Sequence, residues 1–244
     1  MLLNHVFPRE TDRVKEANIP LVIVGGTVEY HGAHCAYGCD TLIAEGLINK
    51  LAQKKEILIA PSIAYSPASY AVGGRKSGTV HVPERAFEDY VYYVFKSMLY
   101  SGFRNIYVVI HHQFEQESEM PMTLCYRTAA KRATMEYLEE TLGEGWWGSE
   151  SYADYYEQLE GASNPFNWIK VIPTMSTAVQ NATGYDHAGK YESSMLMSLY
   201  PDAIDLARID DIKHWFTESA REASKQIGDE MVSLSLEYLD SAII

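Results

Sequence analysis

The stretch Ile19-Pro20-Leu21-Val22-Ile23-Val24 runs without a polar residue into Gly25-Gly26, and this continuity constrains the fold more than any other feature of the chain. A strand with one wet face alternates apolar and polar side chains. An unbroken apolar run stopped by glycines reads instead as a strand buried on both faces. Ile57–Ala60 and Ile106–Ile110 have the same character, and Ile169–Ile172 repeats it in weaker form. Helical patterns lie between them. Phe87, Val91, Val94, Phe95 and Met98 recur at helical spacing, with Pro83 ahead of them as a first-turn residue and Gly102 where the helix would stop. Asp40–Lys54, Glu117–Leu142, Ala188–Leu199 and Asp211–Leu239 complete the helix set, with Pro121 required near the start of its segment. Strands alternating with helices predict βαβ units and an α/β fold whose mainly parallel sheet is covered by helices. Such sheets bind ligands at the carboxyl ends of their strands.

The 244 residues, 47% hydrophobic and 22% charged, are expected to form a single domain over residues 1–244, without repeats or low-complexity linkers. Thirty-three acidic against 20 basic residues give a net charge of -13, which argues against nucleic acid as a partner. The N-terminus lacks the basic start and apolar core of a signal peptide, and no 18-residue apolar run occurs, so neither export nor a membrane span is expected and the protein is placed in the cytoplasm. Cys35, Cys39 and Cys125 are too few for a disulfide framework, as in a reducing compartment. A thiolate zinc site on Cys35 and Cys39 lacks a second pair, so both are read as packing residues near a site. Glu136–Glu160 carries eight acids, no Lys or Arg, and Trp146-Trp147-Gly148, and reads as a solvated surface insertion rather than a substrate lid.

Chemistry concentrates just past the first strand. Glu29, His31, His34 and Asp40 fall within twelve residues, beyond the carboxyl end of a buried run. A polar turn would account for one such histidine; four groups together, costly beside a core strand unless paired or metallated, point to a divalent ion such as zinc or manganese. A second cluster, His111-His112-Gln113-Phe114-Glu115, follows the third strand. A third is Gly184-Tyr185-Asp186-His187-Ala188-Gly189-Lys190-Tyr191-Glu192. A helix starting near Ala188 would put His187 at its mouth and Glu192 one turn in.

These clusters resemble the creatininase family, the creatinine amidohydrolases. Glu29, His31, Gly32, His34 and Asp40 fit the family's signature Glu-x-His-Gly-x-His followed by Asp. Gly78-Thr79 matches a second turn, Gly102-Phe103-Arg104 leads into a third motif, and His187-Ala188-Gly189 through Glu192-Ser193-Ser194 resembles a fourth, so that the likeness covers roughly residues 15–205. The resemblance implies a three-layer α/β/α domain, a homo-oligomer, often a hexamer, and two divalent ions per chain, zinc first, with manganese or iron as the alternatives. It makes Glu29, His31, Asp40 and His112 metal ligands, with Asp40 bridging, and His187 a catalytic histidine. For the fifth ligand the family divides. Creatininase proper uses a glutamate two residues after the third-motif histidine, where this chain has Phe114; other relatives take it from the fourth motif, which is Glu192 here. Glu192 is the expected ligand, with Glu115 behind it: three residues past His112 on an extended segment, Glu115 would point to the opposite face.

The implied activity is a metal-dependent hydrolase in which a metal-activated water attacks a small cyclic substrate. A cyclic amide opened at carbon–nitrogen is expected, and creatinine itself is disfavoured because His111-His112-Gln113-Phe114 replaces small glycines of most relatives. The alternative is carbon–carbon cleavage of an inositol-derived cyclic diketone, which the same family also catalyses and which needs the same metals and acid. A metal- or ligand-binding protein without turnover is the remaining reading, and metal content separates it from a hydrolase.

Overall fold

The computed structural model describes residues 1–112, 120–159, 161 and 164–244. Among these, four strands form one all-parallel sheet: β1 (Leu21–Gly25), β2 (Leu58–Ile59), β3 (Ile106–Ile110) and β4 (Ile169–Pro173), in the order β2-β1-β3-β4. The continuous apolar runs are strands for the reason anticipated, since every residue of β1 and β3 is buried. Alternation divides each run between two cores. Leu21 and Ile23 join one hydrophobic cluster and Val22 and Val24 the other. Each such fully buried side chain contributes about 1.5–3 kcal/mol.

The helices make the two outer layers, as the three-layer expectation requires. On one side α1 (Pro8–Glu16), α3 (Glu84–Tyr100) and α4 (Pro121–Leu142) pack Val14, Phe87, Val91, Phe95 and Tyr126 against the sheet. On the other, α2 (Cys39–Leu51), α6 (Lys190–Leu199) and α7 (Lys225–Ala242) supply Ile43, Leu47, Leu196, Met231 and Leu239, with the short α5 (Thr177–Thr183) leading from β4 to α6. Gly102, at φ +96°, turns the chain out of α3 toward β3. Because α2 after β1 and α4 after β3 cover opposite faces, the chain leaves these strands in opposite directions, and the crevice between them is the switch point at which an open parallel sheet binds ligands.

Two expectations need correction. The long helix anticipated over Asp211–Leu239 is two elements, a 3-10 segment Trp215–Glu222 and then α7, because Ser224 is extended and its hydroxyl accepts from the Ile227 N–H to cap a fresh start. The helix expected from Ala188 begins at Lys190, since Ala188 adopts a positive φ of 53°. Pro121 opens α4 at its first turn, as expected, with Met120 as the extended N-cap; residues 117–119 of the anticipated helix lie outside the described residues. The described part of the acidic segment bears out a solvated surface reading. It runs from α4 into short 3-10 turns in which Trp147 and Tyr156 are exposed and stack edge-on. Among the described residues, no helix is long and apolar enough to cross a membrane.

Candidate metal centre

Three sequence segments meet at the switch point. The loop after β1 carries Glu29 and His31, and α2 opens with Asp40 in its first turn, where free backbone N–H groups favour a carboxylate. The end of β3 delivers His111 and His112. The turn into α6 brings Asp186, His187 and Glu192. Despite their polarity, Glu29, His31, Asp40, His112 and Glu192 are all buried, none more than 7% exposed.

The carboxylates and imidazoles face one another in a regular pattern. Asp40 divides its oxygens, with Oδ1 3.3 Å from His31 Nε2 and Oδ2 3.3 Å from His112 Nδ1. Glu29 Oε2 lies 3.2 Å from His112 Nδ1, and Glu192 Oε2 lies 3.3 Å from His31 Nε2. These approaches are not aligned as hydrogen bonds: Glu29 Oε2, His31 Nε2 and Asp40 Oδ2 are buried atoms that no hydrogen bond satisfies. Ligands about 2.0–2.1 Å from one tetrahedrally coordinated ion would sit about 3.3–3.4 Å apart, which matches the observed edges. The donor set of carboxylate oxygens and imidazole nitrogens suits zinc or manganese. The residues present therefore fit a divalent-metal centre.

Supporting contacts hold these side chains in place. His31 Nδ1–H donates to the Glu29 carbonyl at 3.1 Å, which leaves Nε2 as the free lone pair. The Glu192 carboxylate accepts from the Ala188 N–H at 2.6 Å through Oε2. Asp186 anchors the start of α6 by accepting from the Tyr191 and Glu192 N–H groups at 3.0 and 3.1 Å. Gly189 is required there, since a Cβ would lie 2.3 Å from Asp186 Oδ2. Electrostatics follow from the crowding. Burial disfavours an imidazolium at His112, but the Asp40 and Glu29 carboxylates outweigh it and raise its pKa to about 10. Burial likewise opposes charge on His31, Asp40 and Glu192; the Asp40 and Glu192 charges nonetheless raise His31 well above the imidazole range, and the histidines hold both carboxyls well below theirs.

All six residues singled out from the sequence, Glu29, His31, Asp40, His112, His187 and Glu192, thus come to one place. His187 stacks on His31 with ring centroids 4.3 Å apart, donates from Nε2–H to the Tyr30 carbonyl at 3.1 Å, and rests against Phe216. His34 does not join the cluster: its Nε2 pairs with the Ser193 hydroxyl at 3.1 Å. Cys35 also turns to Ser193, at 3.8 Å, and its thiol meets that of Cys39, a contact that lowers the Cys35 pKa to about 5, while the fully buried Cys39 sulfur lies within 4.8 Å of ligand atoms of His31 and Glu192. Glu115 lies outside the described residues. The residue the sequence reading passed over is His111, whose Nε2 is 3.3 Å from Glu192 Oε1. The signal was there, in a second histidine adjoining His112 at a strand end. Between Thr174, Gln180, Tyr185 and the ligand cluster lies a cleft of about 70 Å³, room for ions and a few waters, or a small ligand, by the usual 10–15 Å³ minimum per water.

Known proteins resemble this chain in sequence and fold. The Creatininase family model, described as creatinine amidohydrolase, matches residues 8–237. The creatinine amidohydrolase of Pseudomonas putida is 22% identical over 206 residues, covering 82% of this chain and 71% of that protein. A crystal structure of a creatinine amidohydrolase superposes with a TM-score of 0.73 at 18% identity, over 99% of this chain and 96% of that one. A manganese form of creatininase gives 0.73 at 17% identity over the same shares, and a zinc–zinc form gives 0.71 at 18% identity, again over 99% and 96%.

Proposed function

The chain belongs to the creatininase family of metal-dependent hydrolases, and on that premise we propose that it opens a small cyclic amide at its carbon–nitrogen bond with two divalent ions, zinc first. One observation carries this reading: Asp40 turns one oxygen to His31 and the other to His112 at 3.3 Å without hydrogen-bond alignment, as a carboxylate shared between two ions would. Glu29 and His112 complete one position, and His31 and Glu192 the other. When bound, the ions supply a water of lowered pKa and polarise the carbonyl under attack.

The remaining roles fall to the protein. With Nε2–H committed to the Tyr30 carbonyl, His187 keeps Nδ1 as its free nitrogen. That nitrogen takes the proton released on attack and passes it to the leaving nitrogen, work suited to an imidazole, which titrates near neutral pH. The small cleft selects a compact substrate. The relatives include creatininase structures, among them one complexed with creatine, but the bulkier His111–Phe114 stretch argues that the substrate here is a different ring. A cytoplasmic homo-oligomer, a hexamer on the family's pattern, completes the proposal.

The test is to load the purified chain with zinc or manganese, measure metal by elemental analysis, and incubate it with cyclic amides and cyclic polyol diketones while following products by mass. Two ions per chain and ring opening of an amide are expected, with Asp40→Ala losing both ions and all turnover. Turnover of the diketones alone would move the reaction to carbon–carbon cleavage. Absence of metal after growth in metal-rich medium would make the protein a binding protein without turnover.

A further inference from the structure

Nothing in the ligand set above calls on His111, yet its ring is held as a ligand is held. Nε2 stands 3.3 Å from Glu192 Oε1, while the other oxygen of that carboxylate faces His31 Nε2 at 3.3 Å. Ligand atoms of Asp40, His111 and Glu192 lie within 4.8 Å of one another, the same clustering that Glu29, Asp40 and His112 show. On the far side of the ring, Nδ1 is 2.8 Å from the Thr174 hydroxyl. Thr174 is itself fixed, because its backbone N–H donates to the Ile110 carbonyl at 2.8 Å and extends the β3–β4 ladder one step past the strands. When the hydroxyl accepts from Nδ1–H, Nε2 presents its lone pair to the cluster, the outer-partner arrangement that ligating histidines almost always have.

We propose that His111 is a fourth protein ligand of the ion held by His31, Asp40 and Glu192. This rests on the two-ion reading given above and makes the two positions unequal. His31, Asp40, Glu192 and His111 would supply two nitrogens and carboxylate oxygens, one donor residue more than the other position has. Glu29, Asp40 and His112 supply three, the number at which catalytic sites keep a position open. One position is then a fixed charge that holds Asp40 and Glu192, and the other is where a water or substrate oxygen has access.

Zinc titration calorimetry on the full chain, with metal analysis after dialysis, tests the assignment. Wild type should bind two ions. His111→Ala and His111→Gln should keep one at wild-type affinity and bind the second at least about 100-fold more weakly, beyond the 10–100-fold that loss of an outer partner typically costs. Thr174→Val, which removes only the support of the ring, should fall within about 10–100-fold, and free imidazole should restore the second ion to His111→Ala. Adding Glu29→Gln to His111→Ala should remove the remaining tight ion, which identifies it. Two ions in wild type and in both His111 variants at equal affinity would overturn the role of His111 while leaving the two-ion site intact; fewer than two in wild type would overturn the two-ion site and this inference with it. Should the His111 variants misfold, Thr174→Val decides, and unchanged affinity there overturns the proposal.

Discussion

At the scale of single residues, the centre is a problem in charge that a cation solves. Glu29, Asp40 and Glu192 are three carboxylates buried together, and protonated imidazoles compensate them in the absence of metal, as the pKa of about 10 at His112 expresses. A ligating nitrogen must be neutral, so binding expels those protons. Zinc titrations at pH 7 in buffers of different ionisation enthalpy should therefore register about two protons released per chain, from His31 and His112; a release near zero would remove both from the ligand set. The sign for stability follows. The raised pKa of His112 stabilises the metal-free protein fully below its ordinary value of 6.5 and loses that contribution as pH climbs through about 10, so the melting temperature of stripped protein should fall across that window. His187 differs in kind. Its hydrogen bond goes to a backbone carbonyl, and His187→Ala should leave the metal content unchanged while lowering kcat by about 10²-fold or more; a loss of metal would make it a ligand.

At the scale of elements, the part most exposed to test is the entry to α6. Gly189 occupies the cap position without a side chain to offer, so Asp186 reaches in from outside the helix to hold the Tyr191 and Glu192 N–H groups. Asp186→Ala should cost about 1 kcal/mol, as loss of a cap does, and should weaken zinc binding because the backbone of Glu192 is freed; urea unfolding and zinc titration read the two effects, and Asp186→Asn should recover most of both. What could be read from sequence at this scale followed burial. β1 and β3 announce themselves because both of their faces are covered, and Glu29, Asp40 and His112 because they follow directly on those strands. α1 gave no comparable signal, since Val14 is its one buried residue and an exposed helix needs no apolar stripe. The Asp211–Leu239 stretch misled for the opposite reason: apolar spacing continues across Ser224, and only the cap geometry marks the break. His111 stood in the second cluster without a role; the chain has left β3 at Ile110, and both histidines face the same carboxylates.

At the scale of the molecule, the sheet order decides which parts of the chain must meet. β1 and β3 are neighbours although β2 and α3 intervene in sequence, and β4 beyond them leads into the turn that carries His187 and Glu192. No single element would therefore hold a complete ion position. The acidic turns that follow α4 lie on the surface between the segment bearing Glu29, His31, Asp40, His111 and His112 and the segment bearing Glu192. A nick in those turns would yield two fragments, one with most of the donors and the other with the carboxylate that completes the second position. Their rejoining would draw on the strand pairing and apolar core that β3 and α2 share with β4, α6 and α7, with the cation as an added rivet, so that a severed chain would reassemble more tightly where that cation is supplied.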